Sequence, residues 1–132
     1  MFFFNNVAVY NYSKVSIIDN SGARIGRCVQ IYKAAKKRGA RIGAIILLTL
    51  RLVVPDKKIK QGDLSKATIV CSQDWVTRFA SYRIKAYASF VTLLFNLSLL
   101  PRGKRAKGLM FEEVSKGFSQ SSKTLALAAV II

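Results

Sequence analysis

No histidine occurs in the 132 residues of this chain, and only six acidic side chains do: Asp19, Asp56, Asp63, Asp74, Glu112 and Glu113. Without histidine there is no Ser-His-Asp or Cys-His nucleophile system and no imidazole metal ligand. Only Glu112 and Glu113 are neighbours, and adjacent side chains do not converge on one substrate atom, which argues against a paired-carboxylate hydrolase. The chain is therefore expected to be no enzyme, with no catalytic residue, no metal site and no cofactor; a lysine-based site is the single catalytic route left. Cysteine is scarce too. Cys28 and Cys71 lack any C-x-x-C spacing, and as buried free thiols they suit a reducing compartment.

Long apolar runs are also missing. The longest nearly uncharged stretch, Ala86 to Leu100, has 15 residues and includes Ser89, Thr92, Asn96 and Ser98. A membrane span needs roughly 20 apolar residues. The opening Met1-Phe2-Phe3-Phe4-Asn5-Asn6 has no basic flank and no Arg- and Ser-rich amphipathic pattern of an imported presequence. For a protein working in an organelle, this start predicts synthesis there.

Positive charge is in excess. Lys and Arg number 22, the net charge is +16, and 52% of the residues are hydrophobic. The length fits one domain with a real core, and that domain repels itself unless a polyanion supplies the missing charge. Nucleic acid is the first candidate and an anionic membrane surface the rival. A membrane-surface role wants a basic amphipathic helix, whereas the basic segments here are rich in glycine.

The pattern along the chain is that of short strands. Residues 1–13 carry no period and read as an extension. Lys14 to Asp19 alternates and ends in the turn Asn20-Ser21-Gly22. Arg24 to Tyr32 follows, with Val29 and Ile31 expected on one face and Cys28 and Gln30 on the other. Ala44 to Val54 places Leu48, Leu50, Leu52 and Val54 on one side. After Pro55-Asp56-Lys57-Lys58 and the turn Gln61-Gly62-Asp63, Leu64 to Ser72 sets Ala67, Ile69 and Cys71 against Lys66 and Thr68. Gln73 to Tyr82 is poorly patterned. Arg83 to Leu100 predicts more strand, with Val91, Leu93 and Phe95 inward. Pro101 to Gly108 reads as a loop, Met110 to Lys116 as a short helix, and Thr124 to Ile132 as a last strand or a helical turn or two. Turn signals about every 10 residues predict a mainly β fold, a small antiparallel barrel. The expected organisation is an N-terminal extension (1–13), a barrel with basic loops (14–100) and a C-terminal arm of loops and one or two short helices (101–132).

The cations cluster in those loops. Lys33, Lys36, Lys37, Arg38 and Arg41 form one group, Lys57, Lys58 and Lys60 a second, and Arg102, Lys104, Arg105 and Lys107 a third. Glycine or proline flanks each group, and glycine lets backbone N–H groups approach phosphate while the side chains neutralise it. Three such loops predict a clamp on folded RNA, which is recognised mainly by shape and phosphate. The alternative is a free module for single-stranded nucleic acid, which needs exposed aromatics among cations. Tyr82, Arg83, Lys85 and Tyr87, or Trp75 with Arg78 and Phe79, are the candidates for that mode. Phe90 and Phe95 are expected in the core.

The run Asp19-Asn20-Ser21-Gly22-Ala23-Arg24, with Cys28 four residues on, resembles the universal large-subunit ribosomal protein fourteen family. The resemblance continues in order. Gly43 opens a long apolar strand. Pro55 to Asp63 is similar to that family's Pro-x-x-Lys-Val-Lys-Lys-Gly-Asp turn, and Leu64 to Val70 to the next strand. Val91 to Asn96 resembles a strand closing on Asn, and Pro101, Gly103, Arg105 and Gly108 are similar to its Pro-x-Gly-x-Arg-x-x-Gly-Pro loop. Departures are present: Asp74 to Arg78 stands where the family has a Pro-Asp-Gly hairpin, and Leu109 where it has proline.

The resemblance implies a five-stranded barrel with a C-terminal arm. It implies large-subunit rRNA as partner, ribosomal proteins three and nineteen as neighbours, and small-subunit rRNA contacted across the interface as a bridge. Some members also receive a ribosome-silencing factor. In this chain the RNA-binding set is expected to be the three clusters together with Asn20, Ser21 and Arg24. The divergence and the Phe- and Leu-rich drift predict a mitochondrial ribosome, with a bacterial cytoplasm or a plastid as alternatives.

Overall fold

In a computed structural model the described residues are 9–10, 12–32, 39–55, 59–73, 76–78, 82–84, 86, 88–111, 114, 121–128 and 130–132. Five strands close into a barrel in the order β1 (Lys14–Ile17), β2 (Ala23–Ile31), β3 (Ile45–Val53), β4 (Leu64–Cys71) and β7 (Phe90–Leu94). Between β4 and β7 runs a separate hairpin, β5 (Val76–Arg78) with β6 (Tyr82–Ile84). Beyond the barrel come β8 (Leu109–Met110), helix α1 (Ser121–Leu125) and β9 (Val130–Ile131), with β8 and β9 paired in parallel.

The expected mainly β barrel is therefore present, with one correction: β1 and β7 pair in parallel, while the other four junctions are antiparallel. An odd number of strands cannot alternate direction all the way round a closed ring, so one parallel seam is unavoidable. Closure leaves no free edge on the barrel, and the chain can carry apolar strands without inviting edge-to-edge pairing.

Val15, Ile17, Cys28, Ile46, Leu48, Leu50, Ala67, Ile69, Val91 and Leu93 fill the interior, nearly all with no exposed surface. Gly26 pairs with Leu50 of β3 and makes room for the Leu48 side chain: a Cβ there would stand 3.1 Å from Leu48 Cδ1. The alternation expected for β2 fails at its centre. Cys28 and Ile31 are both buried, and Val29 and Gln30 both face out. Three-residue spacing on one face requires a bulge, and the register between β2 and β3 shifts between Cys28 and Gln30. On β3, Leu48 and Leu50 point inward as expected, but Leu52 is exposed because the strand there runs past the start of β4. Phe95 is also exposed and does not join the core as expected, whereas Phe90 is half-buried and packs against it.

Strand β4 is buried on both faces. Ala67 and Ile69 point into the barrel, and Thr68 and Val70 are equally covered. Cys71, past a register shift against β7, is buried but turns its thiol to the C-terminal segment and not inward as expected. The outer cover includes residues of the C-terminal segment: Phe111 N–H donates to Val70 O (2.9 Å), and Met110, Phe111 and Val114 join the same buried cluster. Met110 thus belongs to a strand, not to the helix expected from it. Val114 N–H donates to Phe111 O (3.2 Å), closing a single tight turn. Glu112, Glu113 and residues 115–116 lie outside the described residues. The region expected to be a last strand or a helical turn contains both, as the end of α1 and as β9.

Cys28 and Cys71 are free and buried. Burial pushes the thiols up to about 11 and about 12, so both stay protonated at neutral pH. Cys71 Sγ donates to Leu109 O (2.8 Å).

Candidate nucleic-acid interface

Strand direction decides which loops meet. β1 and β7 run together, β2 and β4 run back, and β3 returns with β1. The β1–β2 turn, the β3–β4 connection and the segment leaving β7 therefore share one end of the barrel. Val53 pairs with Ala23 and Val54 N–H donates to Gly22 O (2.7 Å), which fixes the end of β3 beside the Asn20 turn. The β2–β3 connection opens at the opposite end.

The turn is built from Asp19. Its Oδ1 accepts from Ser21 Oγ (2.6 Å) and Ser21 N–H (3.3 Å). Its Oδ2 accepts from the buried Leu93 N–H (2.8 Å), so one carboxylate ties the turn to β7. Burial raises the Asp19 carboxyl above its ordinary 3.8, while the bonds from Ser21 and Leu93 and the nearby Arg102 pull the other way. Gly22, at φ 113°, turns the chain into β2.

Asn20 docks the third cluster onto this turn. Its Oδ1 accepts from Lys104 N–H (2.8 Å) and Arg105 N–H (3.3 Å), and its own N–H donates to Arg105 O (3.0 Å). Lys107 N–H donates to Ile18 O (2.8 Å), and Ala106 bridges to Asp19. Gly103 makes the approach feasible: a Cβ there would lie 2.9 Å from both Asn20 Oδ1 and Asp19 Cβ. With the loop's backbone held in this way, Lys104, Arg105 and Lys107 present exposed side chains. Arg102 sits lower. It is half-buried, its Nε donates to Leu94 O (3.3 Å), and its guanidinium lies 5.5 Å from the Phe95 ring centre.

Lys60 reaches the same end on the β3–β4 connection. Its backbone N–H donates to Asp63 Oδ2 (3.1 Å), Gly62 adopts φ 89°, and Gly62 N–H donates to Leu50 O (2.7 Å). Both described acids thus spend their carboxylates on turn geometry. Exposed Arg24 stands at the start of β2 on this end as well. Asn20, Ser21, Arg24, Lys60, Arg102, Lys104, Arg105 and Lys107 are therefore gathered together. Arg41 is not: it occupies the opposite end, where Ala44 N–H donates to Arg41 O (3.0 Å). Lys33, Lys36, Lys37, Arg38, Lys57 and Lys58 lie outside the described residues.

Of the aromatic candidates for single-strand stacking, Tyr82 is half exposed beside exposed Arg83 on β6. Trp75, Phe79, Lys85 and Tyr87 lie outside the described residues, and the Arg78 side chain is likewise undescribed. Sequence reasoning did not single out two residues that hold the Asn20 turn and the third basic loop together, Asp19 and Gly103. An Asp two residues before a serine is a turn signal in itself. Its bond to Leu93, 74 positions away, leaves no local trace.

Among the described residues no helix is long and apolar enough to cross a membrane, and no group of three or more His, Cys, Asp or Glu side chains converges to hold a metal. Residues 8–132 match the family model described as ribosomal protein L14p/L23e. The chain belongs to that family and is a ribosomal protein of the large subunit.

Proposed function

We propose that this protein holds large-subunit rRNA at the face that meets the small subunit, and that the barrel end carrying Asn20, Lys60 and the Arg102–Lys107 loop is the gripping surface. The observation that carries the reading is convergence. Two loops remote in sequence are locked together by Asn20 and Gly103, and every cation they hold except Arg102 is exposed. Fixed backbone and free ammonium groups suit phosphate, because positioning contacts go to the backbone of a folded RNA. In this reading the protein also touches small-subunit rRNA across the interface as a bridge, and ribosomal proteins three and nineteen flank the barrel. A ribosome-silencing factor is a further partner in the same reading. The ribosome is mitochondrial and the chain is made in the organelle, as the Phe- and Leu-rich divergence suggests.

Crosslinking in isolated mitochondrial ribosomes, followed by mapping of the attached RNA, tests this. Expected are adducts from Lys104, Arg105 and Lys107 to large-subunit rRNA, and co-sedimentation with large subunits after a high-salt wash. A slow soluble peak after the wash would instead identify a free single-strand-binding module.

A further inference from the structure

Between the Asn20 turn, the end of β3 and the third basic loop lies a groove of about 480 Å³. Its floor is apolar: Ile17, Ile18, Ala23 and Val54. Arg24, Lys107 and Asn20 stand at its mouth. The groove is open to solvent on its outer side, and its volume lies within the roughly 300–1,000 Å³ of small-molecule sites. We infer that this groove receives one unpaired nucleobase, splayed out of the rRNA whose phosphates the surrounding cations neutralise.

Three observations favour a base over a phosphate. An apolar floor gains nothing from an anion, whereas a flat, weakly hydrated ring covers it well. Asp19 forms part of the wall and disfavours negative charge inside. The cations stand at the rim, where the sugar-phosphate chain of a flipped nucleotide must pass. The walls are already set: Val54 N–H donates to Gly22 O and Lys107 N–H to Ile18 O, so little ordering is left for binding to supply. Asn20 adds polarity at the mouth. Its Oδ1 is held by Lys104 and Arg105, which directs its amide N–H₂ away from the loop as a donor to an incoming acceptor. Arg24 supplies a planar cation that can lie against the ring. Recognition of single-stranded bases by splaying is the usual source of sequence preference in RNA binding, and the groove gives this barrel a place for it.

The inference rests on the proposed rRNA-binding role, and the test separates the two. The full chain is titrated with the rRNA fragment recovered by the crosslink to Lys107, and with the same fragment carrying an abasic substitution at each unpaired nucleotide in turn. One abasic position is expected to weaken binding by roughly tenfold, the scale of a lost base-specific contact. Val54→Leu extends an apolar side chain into the groove without changing charge. It should weaken the intact fragment by a similar factor, leave the salt dependence unaltered, and abolish the penalty of that one abasic site. If no abasic position stands out with the wild-type chain, while binding stays salt-dependent, the groove takes no base and the rRNA reading survives. Absence of salt-dependent binding altogether removes the rRNA reading itself. The wild-type abasic series decides the matter even if Val54→Leu is poorly folded.

Discussion

Asp19 shows how a single side chain can set both stability and geometry. It serves the Ser21 hydroxyl, the Ser21 N–H and the Leu93 N–H from a nearly buried position. Removing it in Asp19→Ala strands a main-chain donor on a residue with no exposed surface, which costs about 2 kcal/mol; urea denaturation reads this directly. Its pH behaviour has a definite sign. The folded carboxyl titrates above 3.8 because burial outweighs the hydrogen bonds, so the folded state holds a proton that the unfolded chain has already released. Where the unfolded state binds fewer protons, stability falls as pH rises. Stability from this group is therefore greatest below 3.8 and declines as pH climbs through the raised folded value. The net charge of +16 adds its own pH trend, so the comparison is with Asp19→Asn. That variant lacks the titration, and its stability difference from the wild type should change with pH only across this window. A difference that is flat from acid to neutral pH would show that burial does not control the group.

At the scale of elements, strand order and turns were legible because β-branched and apolar residues alternate between Gly and Asn punctuation. The barrel follows from Lys14, Ile45 and Leu64 opening strands close to where the pattern places them. Three features were not legible. The β2 bulge depends on how Cys28 packs inside the barrel, which no local period records. The β5–β6 hairpin has only three residues per strand, too few to establish alternation. Thr68 reads as an outward polar residue, yet the fold leaves it no exposed surface. The docking of Lys104 and Arg105 onto Asn20, 84 and 85 positions away, left no trace in the local pattern either. Two predictions belong here. Thr68 and Thr92 face each other across β4 and β7, and each buries a hydroxyl that finds no partner among the described residues. Thr92→Val keeps the shape and removes the unpaired group, so a gain of about 1 kcal/mol is expected in chemical denaturation. Gly103→Ala acts on the loop instead. The added Cβ must displace Asp19 or Asn20, at a cost of about 1–3 kcal/mol. It should also weaken rRNA binding although no cation is removed, and unchanged affinity would mean that the docked loop is not the binding form.

For the whole molecule, what matters is how its charge is spread over a barrel with two ends. β2 has nine residues, so the ends stand about 25–30 Å apart along a strand. The Debye length at physiological ionic strength is about 8 Å. Cations at the Asn20 end and at the Arg41 end therefore act as separate electrostatic patches, and one short RNA segment answers to one of them. Counterion release makes the logarithm of affinity fall linearly with the logarithm of salt, by nearly one unit of slope for each phosphate neutralised. On a short rRNA fragment bound at the Asn20 end, Lys60→Ala and Lys107→Ala should each lower that slope by about one, while Arg41→Ala leaves it unaltered. On intact large-subunit rRNA, which can reach both ends, Arg41→Ala should lower it too. If all three variants shift the short-fragment slope equally, the chain attracts RNA through net charge alone, and the docked turn and loop contribute nothing that a disordered basic peptide would not.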